Sequence, residues 1–366
     1  MLRPISNIVT YPVTNSNRSG QFCMLVIAVL LVGCIRDKDA VTSIGSEQSP
    51  YEFVKPENFP DPTYTFSNNP ISKEGFELGK KLFFDPQLSR DGSVSCNNCH
   101  IQATGFADSQ QHPLSIGVDN RIGMRNAPSL TNLAFMENFF WDGGVTHLDF
   151  VPLNAIESEI EMDEMLSNVV RKLNDDREYP ELFKQAFGAD SVSLPHMLQA
   201  LSQFNVMMVS ANSKYDKYVR NEGAILNNEE LAGRNVFQAK CATCHSGELF
   251  TDHSFKNNGL ADTFPDSGRE RITEAASDIG KFRIPSLRNV ARTAPYMHNA
   301  KFWTLEEVLD HYESGVIDSP TLAPELKQNG QLGISLTEEE KRQIIDFLET
   351  LSDFDFVADT KFMVTQ

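Results

Sequence analysis

Long apolar runs are missing from this chain. The longest covers Phe22 to Val32, eleven residues, about half of what a membrane-spanning helix needs. Alternating apolar and polar stretches of useful length are also missing, so strands should be few and short. Basic charge is in the minority: 32 Lys and Arg against 50 Asp and Glu leave a formal charge of −18. That argues against a nucleic-acid binder and against adhesion to anionic membranes through a basic patch. It suits a basic redox partner through steering. Cysteine is scarce, six in all, and each has a place, so no pair is left over for a disulfide framework or a four-thiolate zinc site.

Four of the cysteines form two C-x-x-C-H motifs, Cys96, Cys99, His100 in "SVSCNNCH" and Cys241, Cys244, His245 in "KCATCHSG". Two thiols at this spacing can add to the two vinyl groups of one haem, which leaves the adjacent histidine placed to ligate the iron. A single match would also suit a redox dithiol or half a zinc site. Two complete matches favour two covalently bound haem c groups. The other histidines (His112, His147, His196, His253, His298, His311) are scattered and offer no short-spaced zinc set.

Of the remaining cysteines, Cys23 lies inside the apolar run and Cys34 just beyond it, and the run follows Arg3 and Arg18 with no acidic residue. This is the charge pattern of a secretory signal. Leu31-Val32-Gly33-Cys34 is similar to a bacterial lipobox and implies cleavage before Cys34 and lipidation of its thiol. Residues 1–33 therefore read as a lipoprotein signal, which directs the protein to the periplasmic side, anchored to the membrane by lipid. Residues 34–70, rich in Pro, Ser, Asn and Asp, read as a flexible tether.

The rest is duplicated. "ELGKKLF" (77–83) precedes the first haem motif and "LAGRNVF" (231–237) the second. "APSL" (127–130) and "IPSL" (284–287) follow them, and eleven residues further on stand Trp141 and His298. Two copies form a pair of domains, not a solenoid: an N-terminal one over 71–222 and a C-terminal one over 223–366. Both should be mainly α-helical. Asn228-Glu229-Glu230 opens one helix, and Thr337 with Glu340 forms the capping box of another whose apolar face is Ile344, Ile345, Phe347, Leu348 and Leu351. A third covers "SLPHMLQALSQFNVMMVSA", whose His196, Met207 and Met208 read as core or surface residues.

"LGKKLFFDPQLSRDGSVSCNNCH", "RNAPSLTNLAFMENFFWDGG", "KFRIPSLRNVARTAPYMH" and "LTEEEKRQIIDFLETL" resemble, in order, the bacterial di-haem cytochrome c peroxidases, a superfamily that also holds MauG. The resemblance implies a peroxidatic N-terminal haem with proximal His100 and an electron-transfer haem with His245. It also implies a bridging tryptophan, Trp141, and a calcium ion at the domain interface, held by Asn126 through its side chain and by Thr293 and Pro295 through carbonyls. Glu161 in "EIEMDE" matches the acid of the peroxide pocket, with Glu157 and Glu159 as competitors.

Two departures follow from the same resemblance. Where peroxidases that need reductive activation cap the resting iron with a histidine, this chain has Val118, and valine cannot ligate; His112 lies six residues upstream, out of register. Where those enzymes place an axial methionine on the second haem, this chain has Tyr312, as MauG has a tyrosine, with Met297 and His298 as competitors. A phenolate stabilises ferric and higher states relative to a thioether. The expected function is a peroxidase reducing hydrogen peroxide with electrons from a periplasmic donor such as a small cytochrome c, active without prior reduction. A MauG-like oxidase acting on a partner protein is the alternative, and a plain di-haem carrier a weaker one. MauG exports oxidation through a tryptophan before the second haem motif, where this chain has Ala239. The donor's identity and the oligomeric state, a homodimer included, are not fixed by the sequence.

Overall fold

Gly79 and Gly233, the third residues of the two repeated heptapeptides, each sit where a helix crosses another too closely for a side chain. A Cβ on Gly79 would lie 1.9 Å from the Ala200 carbonyl oxygen, and one on Gly233 would lie 1.8 Å from that of Gln343. The computed structural model describes residues 49–108, 112–328 and 330–364. The signal, Cys34 and the tether to residue 48 lie outside the described residues.

In chain order the helices are α1 (Lys73–Phe84), α2 (Cys96–Cys99), α3 (Val151–Glu157), α4 (Leu166–Asp175), α5 (Tyr179–Phe187), α6 (Leu194–Val206), α7 (Lys214–Val219), α8 (Asn228–Lys240), α9 (Glu270–Thr273), α10 (Leu305–Asp310), α11 (Glu338–Glu349) and α12 (Phe354–Val357). Among the described residues, strands are confined to two antiparallel pairs of two-residue segments. One pairs Phe255–Lys256 with Phe282–Arg283, and the other pairs Lys327–Gln328 with Gln331–Leu332. The expectation of a mainly helical fold with few short strands is met.

The caps explain why the helices start where they do. Ser72 accepts from the Gly75 amide at the start of α1, Asn227 and Glu230 form a capping box at α8, and Thr337 and Glu340 form one at α11. α1 crosses α6 in the first half, and α8 crosses α11 in the second, each over its glycine. Phe76, Leu82 and Phe83 meet Leu201 and Phe204 in one core, and Phe237, Ile344 and Phe347 meet in the other.

The duplication continues in the backbone. Phe106 and Phe250, Asn132 and Asn289, and Phe140 and Met297 stand at equivalent places, and all six have positive φ. Asn132 accepts the Ser210 amide at 2.9 Å, and Asn289 accepts that of Asp353 at 2.8 Å.

The packing crosses the expected boundaries in three places. Residues 49–70, expected as tether, carry aromatics that bury: Phe59 is 3% exposed and meets Phe135 edge-on at 5.2 Å. Tyr64 donates to Asp149 at 2.9 Å. Tyr215 on α7, before the expected division at 222/223, belongs to the second core. Phe356, Val357 and Phe362, at the far end of the chain, belong to the first. The Phe356 ring packs on Phe106 and the Phe362 ring on Phe204, burial that a reading by sequence position does not anticipate.

Candidate functional site

α2 is a single turn that begins at Cys96 and ends at Cys99, with His100 at the C-cap. His100 Nδ1 lies 2.8 Å from the Phe106 carbonyl, and His245 Nδ1 lies 3.1 Å from that of Phe250. A carbonyl only accepts, so each Nδ1 carries the proton and each Nε2 keeps a lone pair for a metal. Burial lowers the pKa of both imidazoles, which keeps them neutral and able to ligate. The same burial pushes Cys96, Cys99 and Cys241 up to about 12. A redox dithiol or zinc thiolate needs the opposite shift.

His245 lines a partly open, mostly apolar cavity of about 550 Å³, within the range of cofactor pockets. Cys241, Cys244, Tyr312, Met297 and Leu309 also line it. This donor set and volume fit a haem bound through both thiols and His245. At the first motif Cys96 packs on the N-terminal core.

Glu161 lies close enough to Cys96 and Cys99 to raise the pKa of both thiols. Its own carboxyl is pushed up to about 7 by burial, tempered by a hydrogen bond from Ser158. Glu157 and Glu159 are exposed. The Glu161 carbonyl accepts the Val118 amide at 2.8 Å, and Val118 is fully buried beside it. His112 Nδ1 lies 3.9 Å from Asp108.

Tyr312 lies in a π-helical turn, His311–Gly315, continuous with α10, a distortion frequent at functional sites. Burial first, then the nearby Cys244 and Cys241 thiols, pushes its phenol up to about 12, against a hydrogen bond from Asn258. The Asn258 amide also donates to Met297 Sδ at 3.2 Å. One asparagine therefore holds both rival axial groups. No periodicity or motif singles it out, because a loop asparagine is ordinary in sequence. His298, the third rival, stacks on Phe282 with ring centroids 3.5 Å apart.

Trp141 belongs to the first half but lines the second cavity. Its Nε1 donates to the Asn126 carbonyl at 2.7 Å, and its own carbonyl accepts the Arg283 amide at 2.7 Å. The Asn126 side chain meets the Pro295 carbonyl at 2.6 Å and that of Met297 at 3.4 Å. Thr293 lines the same cavity. Asn126 and Pro295, one from each half, thus meet directly, with the Asn126 amide as placed presenting nitrogen to the Pro295 carbonyl. Arg125 ties Asp142 of its own half (2.6 Å) to Asp266 of the other (2.6 and 2.7 Å).

Two C-x-x-C-H turns, each under a duplicated helix crossing, define a tandem c-type cytochrome. The family model described as di-haem cytochrome c peroxidase matches residues 73–224, and that described as cytochrome c matches 231–352. Methylamine utilization protein MauG of Methylorubrum extorquens is 34% identical over 82% of this chain and 83% of its own length. Cytochrome c551 peroxidase of Pseudomonas aeruginosa is 33% identical over 80% and 83%. A crystal structure of a MauG-like protein associated with microbial copper homeostasis superposes with a TM-score of 0.77 at 32% identity, covering 86% of this chain and 99% of that one. The chain belongs to the di-haem cytochrome c peroxidase family. It is an oxidoreductase of that type and carries two haem c groups.

Proposed function

We propose that the protein reduces hydrogen peroxide at the first haem with electrons from a small periplasmic cytochrome c or similar donor, and that it does so without prior reduction. One observation carries this reading: beside the first haem motif the Glu161 carboxyl is pushed up to about 7 by loss of water, with the buried, non-ligating Val118 against it. The haem bound through Cys96, Cys99 and His100 supplies the iron chemistry that cleaves the O–O bond. Glu161 takes the proton from the inner peroxide oxygen and returns it to the outer one, a transfer suited to a carboxyl titrating near neutrality. His100, with its Nδ1 proton held by the Phe106 carbonyl, would hold the iron of that haem through Nε2. Trp141, fixed at both ends, lies on the route to the second site, where His245 and Tyr312 bind the second haem. The test mixes the fully ferric protein with peroxide. Immediate reaction is expected, and inertness until one electron is added would overturn it, with His112 then the first suspect as a sixth ligand.

MauG-like oxidation of a partner protein is the second reading, favoured by Tyr312. Ala239 lines the second cavity where that oxidase has its exit tryptophan, and this supports the peroxidase. Steady turnover with reduced cytochrome c separates the two.

The reading includes calcium at Asn126, Thr293 and Pro295, whose oxygen donors suit a hard cation. With ligands drawn from both halves, chelation is expected to slow electron sharing between the haems before either half unfolds. Unchanged spectra and turnover after verified removal would refute it. It also includes a periplasmic location with a lipid on Cys34, for which a diacylglyceryl mass on a chain beginning at Cys34 is the check. No helix among the described residues is long and apolar enough to cross a membrane.

A further inference from the structure

Arg283 is buried without an acid. It is 6% exposed, lines the second cavity, and has only burial acting on its ionisation, which lowers it to about 10. The other deeply buried arginine behaves differently: Arg288 grips Asp216 through two bonds of 2.8 and 2.9 Å. Arg125 is likewise held between Asp142 and Asp266. The Arg283 guanidinium has two long bonds to carbonyls, Nε to Phe140 at 3.3 Å and Nη1 to Ile284 at 3.5 Å. Nη2 has no acceptor among the described residues. A guanidinium carries five donors in a planar fork matched to a carboxylate, and a cation held out of water without one is costly. The titratable group facing it is His253, with Glu137 and Asp252 beyond, and that imidazole is itself kept neutral by burial.

The repeat locates the change. In the register that aligns Ala127-Pro128-Ser129-Leu130 with Ile284-Pro285-Ser286-Leu287, Arg283 stands where the first half has Asn126. One copy puts a neutral amide on its side of Trp141, and the other puts a cation.

We propose that Arg283 pairs with a carboxylate of the bound cofactor itself, a propionate of the second haem, an inference that rests on that haem occupying this cavity. The pair neutralises both buried charges and keeps the propionate ionised. Because the Arg283 amide donates to the Trp141 carbonyl at 2.7 Å, the same residue fixes the cofactor's acidic edge beside the bridging tryptophan. The guanidinium, a positive charge near the iron, favours the ferrous state. Arg283 is thus a cofactor-binding residue and a determinant of the second potential.

The experiment compares the full-length holoprotein with Arg283→Gln and Arg283→Lys, each checked for two haems by mass, by spectropotentiometry between about pH 5 and 8. The propionate bending band in resonance Raman is the second readout. Arg283→Gln is expected to shift the second haem's redox equilibrium about tenfold toward ferric. It should also add a proton-linked slope, as a propionate without its partner begins to titrate, and move the propionate band, with the first haem unchanged. Arg283→Lys should restore the slope of the parent. A Gln variant with parental potential, slope and band overturns the proposal. So do Gln and Lys variants that shift alike, which would mark a packing role. If the Gln variant retains one haem only, the Lys variant decides: the parental slope supports the pairing and a new slope overturns it. A parent protein carrying a single haem would instead remove the two-haem reading, and this inference with it.

Discussion

Glu161→Gln should leave both haem spectra intact and slow peroxide cleavage by about 10²-fold or more, the usual scale for a lost acid–base group. The side chain is held by its backbone. The Glu161 amide donates to Ser158 at 3.0 Å, and its carbonyl accepts from Val118 at 2.8 Å. Gly117 leaves no room for a Cβ against the Ile160 and Glu161 carbonyls, which would lie 2.3 and 2.5 Å away. Glutamine keeps the shape and the hydrogen bonding but cannot accept the proton. Burial disfavours the carboxylate, so Glu161 titrates near 7 instead of near 4.5. The base form therefore grows as pH rises through about 7, and the rate of peroxide cleavage should rise with it. The Gln variant should lack that limb. Glu157→Gln and Glu159→Gln, at exposed positions, should behave like the parent. A parental rate in Glu161→Gln would assign the proton transfer elsewhere.

Tyr312→Met is expected to raise the second haem's potential substantially and to make peroxide reactivity depend on prior reduction. Burial among apolar groups holds the free phenol at about 12, so a phenolate here requires a cation to stabilise it, and ferric iron is one. The Asn258 hydrogen bond favours the same anion. A thioether in that place carries no charge and tilts the balance toward ferrous iron. Tyr312→Phe supplies the control. If its ferric spectrum matches the parent's, tyrosine is not the ligand, and Met297, already gripped by Asn258 at 3.2 Å, becomes the residue to replace.

Local patterns were legible from the chain alone. The two C-x-x-C-H turns, the helix start at Asn228-Glu229-Glu230, the capping box at Glu340 and the paired heptapeptides depend on neighbours within a few residues, and such short-range chemistry survives in any tertiary context. The duplication was legible because both copies solve one packing problem, a helix crossing that admits only glycine at positions 79 and 233.

What required the folded chain involves residues far apart in sequence. Phe59 and Phe356 bury in the same core although some three hundred positions separate them, and a Pro- and Asn-rich stretch looks like tether until its aromatics find partners. The choice of Glu161 over Glu157 and Glu159 depends on which carboxyl loses its water, a property of the surrounding pocket. Arg283 looks like any other arginine in the string "KFRIPSL". Only the fold encloses it without an acid, and the cost of a buried unpaired charge is set by three-dimensional surroundings.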